Sequence, residues 1–384
     1  MANPARYREH NRQLVLTALR DVPLLTRPML MDSTGLSRST VGALVAELVA
    51  AGQVVEYETV RSTNGAGRPA RILALTRNAG LVGGLDYGHS HVHAAVATVD
   101  GRVLRETRLR LDVNRSPRDA IACGRDLLTD LARAEEADLS ELRCVGIGLP
   151  APVDPVSGMI TGNNILPNWV DVDPSEQFRR EIGASVQIDN DANLGARAEL
   201  RAMGNPVVNL IYVKASTGIG AGIILNGSIF RGSRGIAGEI GHIQVPGAQD
   251  VCRCGSRGCL ESVVSLTRII RDLQPVHPDV SDVDGLIRLI DHRDPAATRL
   301  VGDAGRLIGR ALADVCNFLA PDVIAIGGEL SVAGEVFLEP MRQVIERHTQ
   351  PMVMRALEVR LSANGGRSEI VGALALASES VNQL

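Results

Sequence analysis

Apolar positions over the first eighty residues recur in short bursts at helical spacing. Leu14, Val15, Ala18 and Leu19 predict an amphipathic helix over 10–19. Thr26 offers an N-cap and Pro28 fits a first helical turn, which predicts a short helix that stops at Gly35. Ser37 caps a third helix, in which Val41, Leu44, Val45 and Leu48 fall at i, i+3, i+4 and i+7 and face inward. Its opposite face carries Arg38, Ser39 and Gly42, with Thr40 beside them, and Gly52 ends it. Residues 54–60 and 71–75 then read as two strands around the loop RSTNGAGRPA.

From about residue 81 the pattern changes to apolar runs broken by glycine turns. LVGGLDYGHSHVHAAVATVDGRVL reads as three strands joined by two turns. CVGIGLPAPVD is a buried strand that breaks into a loop, and VQIDNDANLGARAEL is a strand whose polar end opens a helix. IYVKASTGIGAGIILNG gives two strands around a Ser-Thr-Gly turn, and DVIAIGGEL a strand ending in Gly327 and Gly328. Two strand-rich halves with a cleft between them fit these placements. They predict an α/β, two-lobed, actin-like (ribonuclease-H-like) body of the sugar-kinase type. An acid on its first strand would face metal or phosphate, and Asp86 has that place.

Charge separates the same two stretches. Residues 1–80 carry ten arginines against six acids, net +4, which leaves −8 for the rest of a chain whose total is −4. A basic head on an acidic body permits phosphate-backbone binding by the head alone. Lys214 is the only lysine, a bias that fits a GC-rich genome. Aromatics are only 2% of residues, which argues against base-stacking platforms for RNA. The N-terminus lacks a signal-peptide core, no apolar run approaches a membrane span, and the expected location is the cytoplasm.

The most specific chemistry lies in GEIGHIQVPGAQDVCRCGSRGCLE. His242, Cys252, Cys254 and Cys259 form His-x9-Cys-x-Cys-x4-Cys, a set suited to tetrahedral zinc. Gly255 and Gly258 allow the tight loop that brings three thiolates onto one ion. Cys123, Cys144 and Cys316 lie in apolar stretches as ordinary core residues.

The head resembles the winged helix-turn-helix domain of bacterial repressors, through GLSRSTVGALVAELVAAGQV and the later GRPA. The body, through the zinc motif with its leading GEIGH and trailing CLE, resembles the ROK family of repressors, open reading frames and kinases. Together they resemble that family's transcriptional regulators, of the xylose- and N-acetylglucosamine-repressor type, over nearly all 384 residues. The division expected is a head over 1–77 and a body over 78–384. One lobe of the body would span roughly 78–190 plus the C-terminal helix, and the other 191–370.

The resemblance implies a sugar pocket of Asn164, Asn190, Asp191, Glu239, His242 and Glu261, with zinc on one nitrogen of His242 orienting the other. It implies operator contacts from Ser37, Arg38, Ser39 and Thr40 in the major groove and from Arg68 in the minor groove. In the family's kinases the aspartate matching Asp191 is the general base. Nucleotide loops would comprise Asp86, Gly88 and Ser90, then Thr217, Gly218 and Gly220, then Gly327 and Gly328, where adenosine would lie. Here the chain departs from the kinases, which read Asp-x-Gly-Gly-Thr where it reads Asp86-Tyr87-Gly88-His89-Ser90-His91. His89 puts a side chain where backbone must approach phosphate, which counts against ATP and Mg2+. A metal strand built on His89, His91 and His93 lacks any further ligand cluster.

The leading expectation is therefore a sugar-responsive regulator, a repressor in class, binding operator DNA as a homodimer or tetramer in the bacterial nucleoid. The alternatives are an ATP-dependent sugar kinase with an accessory head, and a zinc body that only dimerises.

Overall fold

A left-handed glycine and a capping serine separate the last two helices of the head. In the computed structural model, residues 4–21, 25–58, 71–75, 80–161, 165–170, 172–204 and 209–383 are described. The head comprises α1 (Pro4–Asp21), β1 (Leu25–Thr26), α2 (Arg27–Thr34), α3 (Arg38–Ala50), β2 (Val54–Glu58) and β3 (Arg71–Leu75). Gly35 ends α2 at φ 68°, where other side chains are strained, and the Ser37 hydroxyl accepts from the Thr40 amide at 3.2 Å to start α3. Val41, Leu44, Val45 and Leu48 are buried as their spacing requires. In α1 the inward set is Val15, Leu16, Ala18 and Leu19, while Leu14 is half-buried. Leu16 lies one turn before Leu19, on the face that packs. The strands form an antiparallel sheet in the order β1-β3-β2. Arg68 lies outside the described residues.

The body continues with β4 (Leu81–Gly88), β5 (His91–Thr98), β6 (Val103–Arg110), α4 (Pro117–Ala134), β7 (Leu142–Leu149), α5 (Pro174–Ile182) and β8 (Ser185–Asn190). These strands make one sheet in the order β6-β5-β4-β7-β8, with β4, β7 and β8 parallel. After α6 (Asp191–Met203) come β9 (Leu210–Ala215), β10 (Ile219–Leu225) and β11 (Ser228–Ile229), then helices α7 (Leu260–Val264), α8 (Leu266–Leu273), α9 (Val283–Asp291) and α10 (Pro295–Leu319). The chain closes with β12 (Val323–Gly327), α11 (Glu335–His348), α12 (Pro351–Met354), β13 (Glu358–Leu361) and α13 (Ser368–Gln383). The second sheet runs β11-β10-β9-β12-β13, with β9, β12 and β13 parallel.

Every residue of β4 and β5 is buried, because α4 packs against β5 on one side and α13 against β4 and β7 on the other. Sheets covered on both faces read as continuous apolar runs rather than alternating ones. The exposed edge strand β6 instead carries Arg105, Arg108 and Arg110, charges that discourage edge pairing. Tyr87, Trp169 and Phe178 pack with ring centroids 5.5–6.4 Å apart under this sheet.

The two sheets meet through a helix pair. Helix α13 belongs to the first sheet by packing and α6 lies on β9 and β10, and the two helices pack closely on each other. That approach depends on Gly372, since a Cβ there would sit 1.9 Å from the Leu194 carbonyl oxygen. Gly372→Ala must push α6 and α13 apart and is expected to destabilise the body by about 1–3 kcal/mol. A chemical-denaturation midpoint unchanged from wild type would contradict this packing.

Candidate functional site

The carboxyl ends of parallel strands converge where the sheets face each other, the usual position of a ligand crevice in open α/β sheets. Strand β4 delivers Gly88, β7 leads into Pro150, β8 ends at Asn190, and the turn from β9 to β10 brings Ser216 to Gly220. A cleft results, lined by these residues together with Asp191, Lys214, Glu239, His242 and Glu261. Of the pocket residues expected from the sequence, Asn190, Asp191, Glu239, His242 and Glu261 are therefore brought together. Asn164 lies outside the described residues.

Several of these side chains already hold internal bonds. The Asn190 carbonyl oxygen caps α6 by accepting from the amides of Ala192 and Asn193 at 3.0 and 3.2 Å, and its amide group donates to the Ala151 oxygen at 3.2 Å. Glu261 accepts from the Ile219 amide at 3.1 Å and pairs with Arg253 at 3.2 Å. Glu239 lies 3.4 Å from His242 Nε2.

The ligand atoms of His242, Cys252, Cys254 and Cys259 all lie within 4.8 Å of one another. Cys254 Sγ and Cys259 Sγ are 3.7 Å apart, and Cys252 Sγ is 3.6 Å from His242 Nδ1. A tetrahedral ion with metal–sulfur bonds of about 2.3 Å and metal–nitrogen bonds of about 2.0–2.1 Å has sulfur–sulfur edges of about 3.8 Å and sulfur–nitrogen edges of about 3.6 Å. The four residues fit one such ion, with Nδ1 as the ligand and Nε2 turned toward Glu239. No other group of this kind is found among the described residues. Cys144 and Cys316 are buried, and Cys123 is half-buried.

The adjacent histidines go to separate partners rather than to a metal. His89 Nδ1 meets the Asn114 Oδ1 acceptor at 2.8 Å and therefore carries the proton, leaving Nε2 to accept from Arg253 at 2.9 Å. Burial, reinforced by the Arg253 charge, pushes His89 down to about 4. His91 Nε2 lies 3.3 Å from Asp86 Oδ2, and His93 Nε2 lies 3.7 Å from Glu106.

Sequence reading assigned no role to the residue at the centre of the site. The Lys214 ammonium lies 2.6 Å from Asp191 Oδ2, with both side chains buried. Burial alone would lower its affinity for a proton, but Asp191, Asp86 and Glu369 outweigh burial and hold it protonated. Burial also opposes the charge on Asp86, yet Lys214, His91 and His93 keep it well below the carboxylate range. One ammonium serves two carboxylates, so burial and the charge of Asp86 raise Asp191. Glu369, which accepts from the Tyr212 hydroxyl at 2.7 Å, is pushed up to about 7, chiefly by burial. The signal available in the sequence was the presence of one lysine in an otherwise all-arginine chain, two residues before the glycine turn.

A wider cavity of about 680 Å³ adjoins the cleft, sharing His91 and Thr217 and including Ser90. Arg108 to Glu329 at 2.9 Å and Arg110 to Asp282 at 2.7 Å join the two halves across it. Gly327 and Gly328 do not line it. A Cβ at Gly327 would sit 2.0 Å from the Tyr212 hydroxyl and one at Gly328 would sit 2.4 Å from the Ala215 oxygen, so both glycines serve strand packing. In the head, Ser37, Arg38 and Ser39 are exposed and Thr40 half-exposed at the start of α3. No described helix is long and apolar enough to cross a membrane.

A two-lobed α/β body with a strand-end cleft beside a three-cysteine, one-histidine loop, following a small helical head, defines a sugar-kinase-like fold joined to a separate N-terminal unit. The chain belongs to the ROK family, whose model matches residues 82–380. A putative xylose repressor from Caldicellulosiruptor sp. (strain Rt8B.4) is 29% identical over 98% of this chain and 97% of its own length. A solved ROK family transcriptional regulator, a homologue of the E. coli MLC protein, superposes with TM-score 0.73 over 98% of this chain and 97% of its own, at 24% identity. A solved ROK family glucokinase from Streptomyces griseus, in complex with glucose and AMPPNP, matches with TM-score 0.68 and 26% identity over 78% of this chain and 100% of its own. The share that the glucokinase leaves uncovered is close in size to the head.

The buried Glu369 carboxyl yields a pH dependence. It keeps its proton to about 7 in the fold against 4.5 as its ordinary value, so between these values the folded chain binds more protons than the unfolded one. Stability from this group is full below about 4.5 and is lost as pH rises through about 7, by roughly 3 kcal/mol at most. Glu369→Gln is expected to remove that slope while keeping an acceptor for Tyr212. Parallel pH profiles of urea unfolding for wild type and variant would refute it.

Proposed function

We propose that this chain is a sugar-responsive transcriptional repressor whose head binds a palindromic operator as a homodimer and whose body is the sensor. The observation that carries this reading is the pairing of the head with a cleft whose central carboxylate is neutralised by Lys214 at 2.6 Å. A general base must present an oxygen free to take a proton from the attacking hydroxyl, whereas Asp191 Oδ1 already accepts from the Ala192 amide at 2.7 Å and Oδ2 from Lys214. Asp191 held by a buried ammonium is instead placed to accept a hydrogen bond from a sugar hydroxyl. The relative matched along almost the whole chain is named a repressor, whereas the glucokinase covers only the body-sized share.

In this reading zinc occupies the His242, Cys252, Cys254 and Cys259 set. The ion fixes the ring of His242 so that Nε2 and Glu239 face the cleft, and the same loop carries Glu261 into position. Sugar hydroxyls are then met by Asn190, Asp191, Glu239, His242 and Glu261, with Asn164 as a further contact. Ser37, Arg38, Ser39 and Thr40 at the N-terminal end of α3 enter the major groove, and Arg68 the minor groove.

Cys254→Ser is expected to lose stoichiometric zinc and, with it, the sugar response. Elemental analysis of the native protein without zinc would overturn that assignment.

Gel shifts on the chain's own upstream DNA, with and without a panel of monosaccharides and their phosphates, test the whole reading. Asp191→Asn should retain operator affinity and need roughly ten- to a hundredfold more sugar for the same response, the loss of a charge-assisted hydrogen bond of about 1.5–3 kcal/mol. A ligand moves the equilibrium only by its differential affinity for the two states. Sugar-dependent ADP release by the wild type that disappears in Asp191→Asn would instead establish the kinase.

A further inference from the structure

A phosphoryl-transfer site of this fold needs carboxylates that hold a metal ion and a glycine turn that holds phosphate. Both parts are present here, and both are already engaged. Asp86 and Asp191 are buried with Lys214 between the lobes, and Lys214 Nζ is 2.6 Å from Asp191 Oδ2. Asp86 Oδ2 has His91 at 3.3 Å, while its buried Oδ1 finds no hydrogen-bond partner among the described residues. Such a carboxylate is tolerated only when a positive charge stands close by. On the other side, the Ser216 hydroxyl at the start of the turn donates to Glu329 Oε2 at 2.7 Å. Glu329 Oε1 takes Arg108 at 2.9 Å, and Arg108 also reaches His91 Nδ1 at 3.1 Å. At the end of the turn, the Ile219 amide donates to Glu261 at 3.1 Å.

We infer that the chain supplies its own substitutes for a metal nucleotide. Lys214 stands in the cation position beside Asp86 and Asp191, and the Glu329 carboxylate stands in the phosphate position between Ser216 and Arg108. The carboxylates thus have a tethered charge of the right sign, and the phosphate turn has a tethered anion. Phosphate or metal arriving from solution must displace a covalently attached group that cannot diffuse away. Lys214 and Glu329 are accordingly specificity residues, which keep the cleft open to a neutral sugar and closed to a nucleotide. The interlobe contact of Arg108 with Glu329 gives that exclusion a second effect, because it ties β6 to the segment after β12.

The test is chemical rescue of the full-length, zinc-loaded protein, read by thermal melting. Lys214→Met leaves two buried carboxylates without their cation, and Mn2+ alone should raise its melting temperature by on the order of 2–4 °C while leaving wild type unmoved. Electron paramagnetic resonance should count one additional bound Mn2+ in that variant. Glu329→Ala leaves Arg108 and Ser216 facing an open anion position, and inorganic phosphate should raise its melting temperature while leaving wild type unmoved. The crossed pairings, phosphate with Lys214→Met and Mn2+ with Glu329→Ala, should give no shift. Equal shifts in wild type, or a folded variant that ignores its matching ion, would overturn the assignment of that residue. If Lys214→Met is recovered unfolded, refolding that requires Mn2+ counts as the same rescue, and failure to refold with Mn2+ counts against it. These measurements involve neither DNA nor sugar, so their failure and the failure of the repressor reading are distinguishable.

Discussion

A charge buried between two lobes cannot be left alone, and Lys214 is such a charge. Taking an ammonium out of water is tolerated only with close partners of opposite sign. Those partners come from three separate elements: Asp86 from β4, Asp191 from the first turn of α6, and Glu369 from α13. The lobes therefore cannot part freely, because parting separates the ammonium from its carboxylates. The helix pair α6–α13, the glycine that lets it close, and the strand ends that form the cleft all take their relative positions around this cluster.

The cleft wall opposite the cluster has a different origin. Residues 239–259 contain only isolated bridges and a single short 3-10 turn, and backbone bonds such as Val245 N–H to the Gly258 oxygen, Cys252 N–H to Ser256 and Gly258 N–H to Asp250 fold the loop back on itself. Within this loop four side chains, His242, Cys252, Cys254 and Cys259, converge on one point. Arg253, between two of those cysteines, reaches across to His89 of the first lobe. This cysteine loop thus forms part of the wall and also touches the opposite side of the cleft.

Much of this was legible in the chain. The turns in GLDYGHSH and TVDGRV bound β4, β5 and β6 within a residue or two, because glycine, aspartate and alternating runs are local signals. The metal set was legible because its spacing is local too. Leu14 was read inward where Leu16 is buried, since the two leucines flank the stripe of Val15, Ala18 and Leu19 on opposite sides and only packing against α2 and α3 decides which side is covered. The roles of Lys214 and Glu329 were not legible. Their partners lie at 86, 191 and 369 and at 108 and 216, and no spacing rule connects residues that distant. Gly327 and Gly328 looked like a ligand turn, but glycine beside a strand serves close packing just as well, as Tyr212 and Ala215 show.

The scarcity of lysine has a practical corollary. Every other member of the lysine–arginine set is arginine, whose guanidinium is not an amine, so the only side-chain amine in the molecule sits in the cleft at 9% exposure. Acylating and cross-linking reagents that act on amines meet no reactive side chain on the described surface. Their reaction with the folded protein is confined to the chain's amino terminus until the lobes move apart and uncover Lys214. The molecule therefore contains a single-site chemical probe of its own opening, requiring no introduced label.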